Sequence, residues 1–344
     1  MEGKKMSVLV VGAGAIGGIT CGLLKQSGYD VEILCNTADY SELINDQGLR
    51  ITGYKGDFTV PVKAYSTIDD IKDKKDIILH ATKATDMQSA ARDAVKVLKD
   101  DGHIVSLQNG FCEDALADIA GRPRVIGCVV GWGASMEKRG EFIMTSGGDF
   151  IIGYTDRKSD EFLEILAEMF SVIVPARITE NINGHLYAKL IINSCITTLG
   201  VVCGLYLGKM LSIRKARKIF IEIIREAMLV AGAMNYKVEI FAGKLDFKQF
   251  LSGDGLLASA RRHLLIRIIG FKYRRLKSSS LQSVMRGKQS EVNFLNGFIV
   301  DKAKLCGLEV PVNKALVNMV HEIESGSRAI DVSNFDDPVF DGLL

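Results

Sequence analysis

The chain has 344 residues, enough for two domains of ordinary size, and its 47% hydrophobic and 24% charged residues are those of a globular protein, which argues against disorder. A net charge of +2, from 43 basic against 41 acidic side chains, gives no polyelectrolyte character, and no nucleic-acid-binding motif is present. Seven scattered cysteines without a C-x-x-C pair, and five histidines without ligand spacing, predict reduced thiols and no metal.

The opening MEGKKMSVLVVGAGAIGG sets lysines before an apolar run, as a signal peptide does. The run passes straight into glycines without a small-residue cleavage pattern, so SVLVVG (7–12) reads as a first strand and the protein as cytoplasmic. Later apolar runs such as HLLIRIIGF are broken by polar residues well short of the ~18 that suggest a bilayer span, so no integral membrane segment is expected.

AIGGITCGLLKQSG reads as a helix closed by Gly28, and YDVEILC as a second strand. The alternation continues through the strand DIILHATK (76–83), the helical DMQSAARDAVKVLKDDG and the strand HIVSLQNG (103–110). Further strands follow in RVIGCVVGWGASM and EFIMTSGGDFIIGY. This order predicts an α/β fold, with a Rossmann-type doubly wound sheet over 1–177. Five segments of helical periodicity then predict an all-helical domain over 178–330, with a cleft between the halves and a loose tail at 331–344.

Between the first strand and helix, Gly12, Gly14 and Gly17 form G-x-G-x-x-G around Ala15 and Ile16. The first glycine permits the tight turn, the second lets backbone approach a pyrophosphate, and the third lets helix and strand pack closely. The helix start adds unpaired N–H groups and a positive dipole end, so this turn is predicted to hold a dinucleotide. After the second strand, where an acid would select NAD and a base NADP, stand Asn36 and Thr37. Lys83 can supply the missing charge, favouring NADP(H) while leaving NAD(H) open.

In HLYAKLIINSCITT (185–198), Lys189, Asn193 and Thr197 recur every four residues on an otherwise apolar helix. Side chains at that spacing share a face. Taken alone, they fit either a site facing a cleft or a lysine snorkelling to solvent. Asn109 before Gly110 reads equally as a turn former, Ser279 as a helix cap, and Glu291 as a carboxylate in a helical first turn.

Taken in order, the glycine turn, TKATD (82–86), LQNG (107–110), AKLIIN (188–193), SSSLQSVMRGKQSEVNFLNG (278–297) and GLEVPVN (307–313) resemble the ketopantoate reductase, or 2-dehydropantoate 2-reductase, family. The order spans nearly the whole chain; the motifs themselves occupy about a third of it. The resemblance implies NADPH-dependent reduction of a 2-oxo acid to a 2-hydroxy acid. It assigns Lys189 as the catalytic lysine and general acid, Asn193 to substrate, and Asn109 to the neighbourhood of nicotinamide and substrate. Ser279 and Glu291 then hold the substrate's carboxylate and hydroxyl ends, and Lys83 contacts cofactor.

Departures from the family pattern are Thr197 in place of a second asparagine, Ser283 in place of an aspartate, and Asn36 in place of an arginine. They keep open a related NAD(P)-dependent dehydrogenase acting on another small keto or hydroxy acid or an opine, and a catalytically silent nucleotide-binding homologue. A homodimer is also left open. From Gly255 to Ser290 the chain has no acid and many bases, a stretch that fits a solvated helix face, substrate steering, or contact with an acidic partner or membrane surface.

Overall fold

A computed structural model describes residues 6–342, so the lysines ahead of the first strand and the last two residues of the expected tail lie outside the described residues. Two compact units are present: 6–108 with 112–182, and 109–111 with 183–342. The division falls at Ile182, beyond the strand that straddles the boundary read at 177.

The first unit runs β1 (Ser7–Val11), α1 (Ala15–Gln26), β2 (Asp30–Leu34), α2 (Ala38–Gln47), β3 (Leu49–Gly53), β4 (Phe58–Val60), β5 (Ala64–Tyr65), β6 (Lys75–His80) and α3 (Met87–Ala94). It continues through β7 (Leu98–Ser106), α4 (Glu113–Ala120), β8 (Val125–Val130), β9 (Gly133–Lys138), β10 (Glu141–Ser146), β11 (Phe150–Tyr154), α5 (Glu161–Ser171) and β12 (Ala176–Ile178). Val8 to Val11 and all of β8 are buried, the run of apolar residues that a strand covered on both faces requires.

The main sheet has the order β12-β11-β8-β7-β6-β1-β2-β5. β1 pairs in parallel with both β2 and β6, so chain order reverses on either side of β1. That reversal is the topological switch point at which α/β sheets bind ligands. Two features depart from a uniformly parallel sheet: β11 joins β8 antiparallel, and β4-β3-β10-β9 form a separate four-stranded sheet. The small sheet lies close to α1, where a Cβ at Gly18 would sit 2.3 Å from the Phe142 ring and one at Gly22 would sit 2.4 Å from Ile51. The glycine content of α1 is therefore a packing requirement as well as a ligand one. The helix expected to run through DMQSAARDAVKVLKDDG ends at Ala94, because LKDDG already belongs to β7.

The second unit contains α6 (Ile182–Cys203), α7 (Leu207–Ser212), α8 (Arg214–Ala233), α9 (Phe247–Leu251), α10 (Gly255–Lys272), α11 (Ser279–Val284), α12 (Asn296–Leu305) and α13 (Pro311–Glu324). α6 is long and apolar enough to cross a membrane by length and composition, which the broken apolar runs do not indicate, yet 83% of its most apolar window is buried inside the protein. It is a core helix. Leu186, Leu190, Ile191 and Leu199 are all buried, each contributing about 1.5–3 kcal/mol on transfer from water.

A buried polar chain ties four of these helices together. Glu226 on α8 accepts from the backbone N–H of Val312 and Asn313, both at 2.8 Å, and from the Asn313 amide at 2.7 Å. Asn296 donates to Asn313 at 2.9 Å, and Thr198 on α6 donates to Asn296 at 2.5 Å. The asparagines of FLNG and VPVN thus fix helix packing, while the Glu226 carboxylate accepts the first backbone N–H groups of α13. Burial raises the pKa of Glu226, and the Asn313 and Val312 N–H groups oppose that rise.

The described part of the expected loose tail is packed. Phe335 and Phe340 are buried, and Asn334 donates to the carbonyls of Val202 and Ala329, both at 2.9 Å. Two phenylalanines that can reach a core outweigh the polar composition around them.

Candidate functional site

The glycine turn occupies the end of β1 at the switch point. Gly12 has φ +107°, a conformation that L side chains rarely adopt, and a Cβ there would meet the backbone N of Thr82 at 2.8 Å. At Gly17 a Cβ would fall 2.0 Å from the Gly12 carbonyl oxygen, so only glycine allows α1 to lie this close to the turn. Gly14 differs: a Cβ there would meet nothing within 4 Å. Gly14 is also the N-cap of α1, makes no side-chain capping bond, and is followed by a first turn without acids. Open space, helix N–H groups and an uncompensated dipole end together form a cradle for an anion, and Ala15 and Ile16 present backbone to it.

Beside this cradle a cavity of about 600 Å³ is lined by Gly12, Leu34, Asn36, Thr67, Thr82 and Asp86, among others. Its walls come from the ends of β1, β2, β5 and β6 and from α3, all in the first unit. Asn36 is exposed on its rim, as the sequence suggests for the residue after β2. Lys83 is exposed in the loop after β6, immediately after Thr82. Gln108 holds that loop: its amide donates to the Thr82 carbonyl at 3.1 Å, the Thr82 hydroxyl at 3.2 Å and the Lys83 carbonyl at 3.5 Å. Sequence reasoning passed over Gln108, although it adjoins Asn109 in LQNG. The residues present fit a dinucleotide.

Two buried titratable groups stand behind the same sheet edge. His80, at the end of β6, is held neutral by burial, which lowers its pKa to about 4. Burial pushes Glu113, at the start of α4, up to about 7, opposed by N–H groups of the Cys112–Glu113 backbone and by the Ser106 hydroxyl. Neither residue carries a sequence signal, since each lies in an ordinary strand or helix end.

In the second unit, α6 is unbroken from Ile182 to Cys203, so Lys189, Asn193 and Thr197 do share one helix face. Lys189 and Asn193 are half-buried and Thr197 is buried. His185, one turn before Lys189, extends the line of polar residues and was not singled out by the sequence reading. Asn193 donates to the Oδ1 of Asn109 at 3.5 Å. The Asn109–Phe111 segment is held by packing within this unit: a Cβ at Gly110 would meet the Phe294 carbonyl at 2.8 Å, and Phe111 stacks on Tyr236 and Phe298. Phe294 N donates back to the Glu291 carbonyl at 3.0 Å, and Glu291 is half-buried at the start of that short 3-10 turn. Segments from LQNG, AKLIIN and SEVNF, far apart in the chain, therefore meet here.

Ser279 is placed differently from the others. It is exposed at the start of α11, and its carbonyl accepts from the Ser283 hydroxyl at 3.1 Å. The serine that meets α6 is its neighbour Ser278, which caps α11 through Leu281 N–H at 3.0 Å and donates to the Thr197 carbonyl at 3.3 Å. Among the described residues, no group of three or more His, Cys, Asp or Glu is arranged to hold a metal.

Strand order, glycine cradle and neighbouring cavity define a Rossmann-type dinucleotide-binding protein. Two family models match the chain: "Ketopantoate reductase PanE/ApbA" over residues 8–157 and "Ketopantoate reductase PanE/ApbA C terminal" over 181–324. The chain is 30% identical over 322 residues to a 2-dehydropantoate 2-reductase of Pyrococcus horikoshii, covering 93% of this chain and 98% of that protein. It is 27% identical to the enzyme of that name from Archaeoglobus fulgidus, covering 93% of this chain and 98% of that one. The chain belongs to the ketopantoate reductase family. A PanE/ApbA family ketopantoate reductase from Ralstonia eutropha superimposes with a TM-score of 0.80 at 28% identity, covering 94% of this chain and all of that one. A D-mandelate dehydrogenase, solved with NADH and anilino(oxo)acetate, gives 0.80 at 20% identity over 93% of this chain and 99% of its own, a likeness of fold.

Proposed function

We propose that the chain reduces a 2-oxo acid to the 2-hydroxy acid with NADPH, and that the acid is 2-dehydropantoate, giving pantoate. The observation that carries this reading is the approach of Asn109 to Asn193, one turn from Lys189, which sets three polar groups of the right chemistry together in one unit. Relatives that align along nearly their whole length bear the name of that activity.

In this reading the backbone of Gly12, Gly14, Ala15, Ile16 and Gly17 binds the pyrophosphate, and Asn36 and Lys83 lie toward the adenosine ribose. When bound, the nicotinamide supplies hydride to the carbonyl carbon. The carbonyl oxygen then carries the electron pair of the broken π bond. Lys189 meets that charge as an ammonium and donates one proton from Nζ, which solvent later restores. Asn193 and Asn109 orient the keto acid through amide hydrogen bonds, with Thr197 supporting the same helix face. Glu291 and Ser279 hold the hydroxyl and carboxylate ends. An uncharged Asn36 does not repel a 2′-phosphate, and Lys83 attracts one; this is the basis for NADP(H) over NAD(H). The reading includes a soluble cytoplasmic enzyme able to pair with a second copy of itself.

The test is oxidation of NADPH and NADH, followed by absorbance, with 2-dehydropantoate against pyruvate, 2-oxoisovalerate and benzoylformate. Highest kcat/KM with NADPH and 2-dehydropantoate is expected. A different preferred acid would trace to Thr197 and Ser283, and binding of cofactor without turnover of any acid would sink the enzymatic reading.

A further inference from the structure

Tyr40, the third residue of α2, has no place in the G-x-G-x-x-G pattern, yet its side chain ends on it. The residue is 4% exposed, and its hydroxyl donates to the carbonyl of Ala13, between Gly12 and Gly14, at 2.8 Å. The same oxygen accepts the N–H of Gly140, in the turn from β9 to β10, at 3.3 Å. A phenol has one proton to give, and the Met136 sulfur at 3.7 Å is a weak acceptor beside an amide carbonyl, so the proton belongs to Ala13. Burial raises the Tyr40 pKa, with the Gly140 N–H opposing, so the hydroxyl stays a donor at neutral pH. Arg139 covers the ring, its guanidinium 5.3 Å from the ring centre and paired with Asp39. One hydroxyl therefore joins α2, the small sheet and the glycine turn, in a chain of hydrogen bonds whose members strengthen one another.

The peptide that Tyr40 holds is one that the backbone leaves to a side chain. Before it, the Gly12 N–H donates to the Leu34 carbonyl at 3.0 Å; after it, the Gly14 carbonyl accepts from the Gly18 N–H at 2.8 Å. The Ala13–Gly14 peptide lies between these fixed points. It is trans, so its C=O and N–H point in opposite directions. A carbonyl drawn to Tyr40 leaves the Gly14 N–H facing the other way. Gly14, without a Cβ, offers little steric resistance to a flip of this peptide, and the flipped form would aim an oxygen lone pair where its N–H now points.

We infer that Tyr40 is a positioning residue for the cofactor: its hydroxyl holds the Ala13 carbonyl out of the anion cradle and turns the Gly14 N–H toward the pyrophosphate. The inference rests on the proposed reading in which the glycine turn binds a nicotinamide dinucleotide.

Calorimetric titration of the full chain with NADPH, with ADP-ribose, which has the pyrophosphate, and with 2′-AMP, which lacks it, tests this. Tyr40→Phe should raise the Kd for NADPH and ADP-ribose about tenfold and leave that for 2′-AMP within about twofold of the wild type. With saturating NADPH, its kcat and its KM for 2-dehydropantoate should match the wild type, while its KM for NADPH rises. 4-Aminophenylalanine at position 40, which returns a donor to Ala13, should restore most of the ADP-ribose affinity. 4-Fluorophenylalanine, which fills the same space without a donor, takes the place of Tyr40→Phe should that variant not fold. A wild type that binds ADP-ribose, with a donor-free variant that binds it equally tightly, would overturn the inference and leave the cofactor reading standing. Equal weakening of ADP-ribose and 2′-AMP would also overturn it, by showing a general loosening of the first unit. A wild type that binds neither NADPH nor ADP-ribose would remove the cofactor reading and this inference together.

Discussion

The glycine turn after β1 and the Lys189 face of α6 are built by opposite routes. The turn is six consecutive residues whose backbone lines the cradle, and two of its glycines, Gly12 and Gly17, are dictated by contacts of 2.8 and 2.0 Å within the same unit. The Lys189 face takes Asn109 from the first third of the sequence, Asn193 from past the middle and the Glu291 turn from late in the chain, joined by the Asn193–Asn109 contact and by packing around Phe111, Phe294 and Phe298. A backbone cradle therefore fails through a single added Cβ. A side-chain cluster fails through loss of one functional group.

The largest effect is expected at the cluster. Lys189→Ala should lower kcat by about 10²–10⁴-fold, the usual contribution of a general acid, with cofactor affinity from fluorescence titration unchanged. Wild-type turnover would remove Lys189 from the chemistry.

Two single-Cβ changes separate the functions of the turn. Gly14→Ala adds a methyl group into open space, so its melting temperature should match the wild type while the Kd for cofactor rises about tenfold or more. Gly17→Ala forces that methyl against the Gly12 carbonyl and should cost about 1–3 kcal/mol of stability by denaturant titration. Equal stability losses in both variants would show that Gly14 has no ligand role.

Specificity should shift more modestly. Asn36→Asp places a carboxylate on the cavity rim, where it repels a 2′-phosphate and accepts ribose hydroxyls. The ratio of kcat/KM for NADPH over NADH should fall about tenfold. No change would mean that the cofactor's ribose lies away from Asn36.

The last expected effect concerns the pH dependence of stability. Glu113 binds its proton more tightly when folded, so its contribution is complete below the ordinary carboxylate pKa of 4.5 and is lost as pH rises through about 7, at a cost of up to about 3 kcal/mol. His80, with its pKa lowered to about 4, acts in the other direction, and its stabilisation is lost as pH falls from 6.5 toward 4. Glu113→Gln should be more stable than the wild type relative to pH 5 when urea midpoints are compared at pH 8, and should retain the acid-side loss due to His80. An unchanged profile above pH 6 would show that Glu113 does not titrate in this range.

The residues themselves determined the glycine cradle, the parallel strands around it and the single polar face of α6, because each depends on neighbours within about one or two turns, where spacing alone dictates geometry. Only the tertiary structure decided that Asn109–Phe111 packs with the second unit, that Ser278 and not Ser279 reaches α6, that Glu226, Asn296 and Asn313 form one buried chain, and that the final phenylalanines are core. It also decided that α6 turns its leucines inward while α10 turns its own outward, although both helices read as apolar. These outcomes depend on which surfaces remain to be covered once all the segments have met, and no local spacing encodes that.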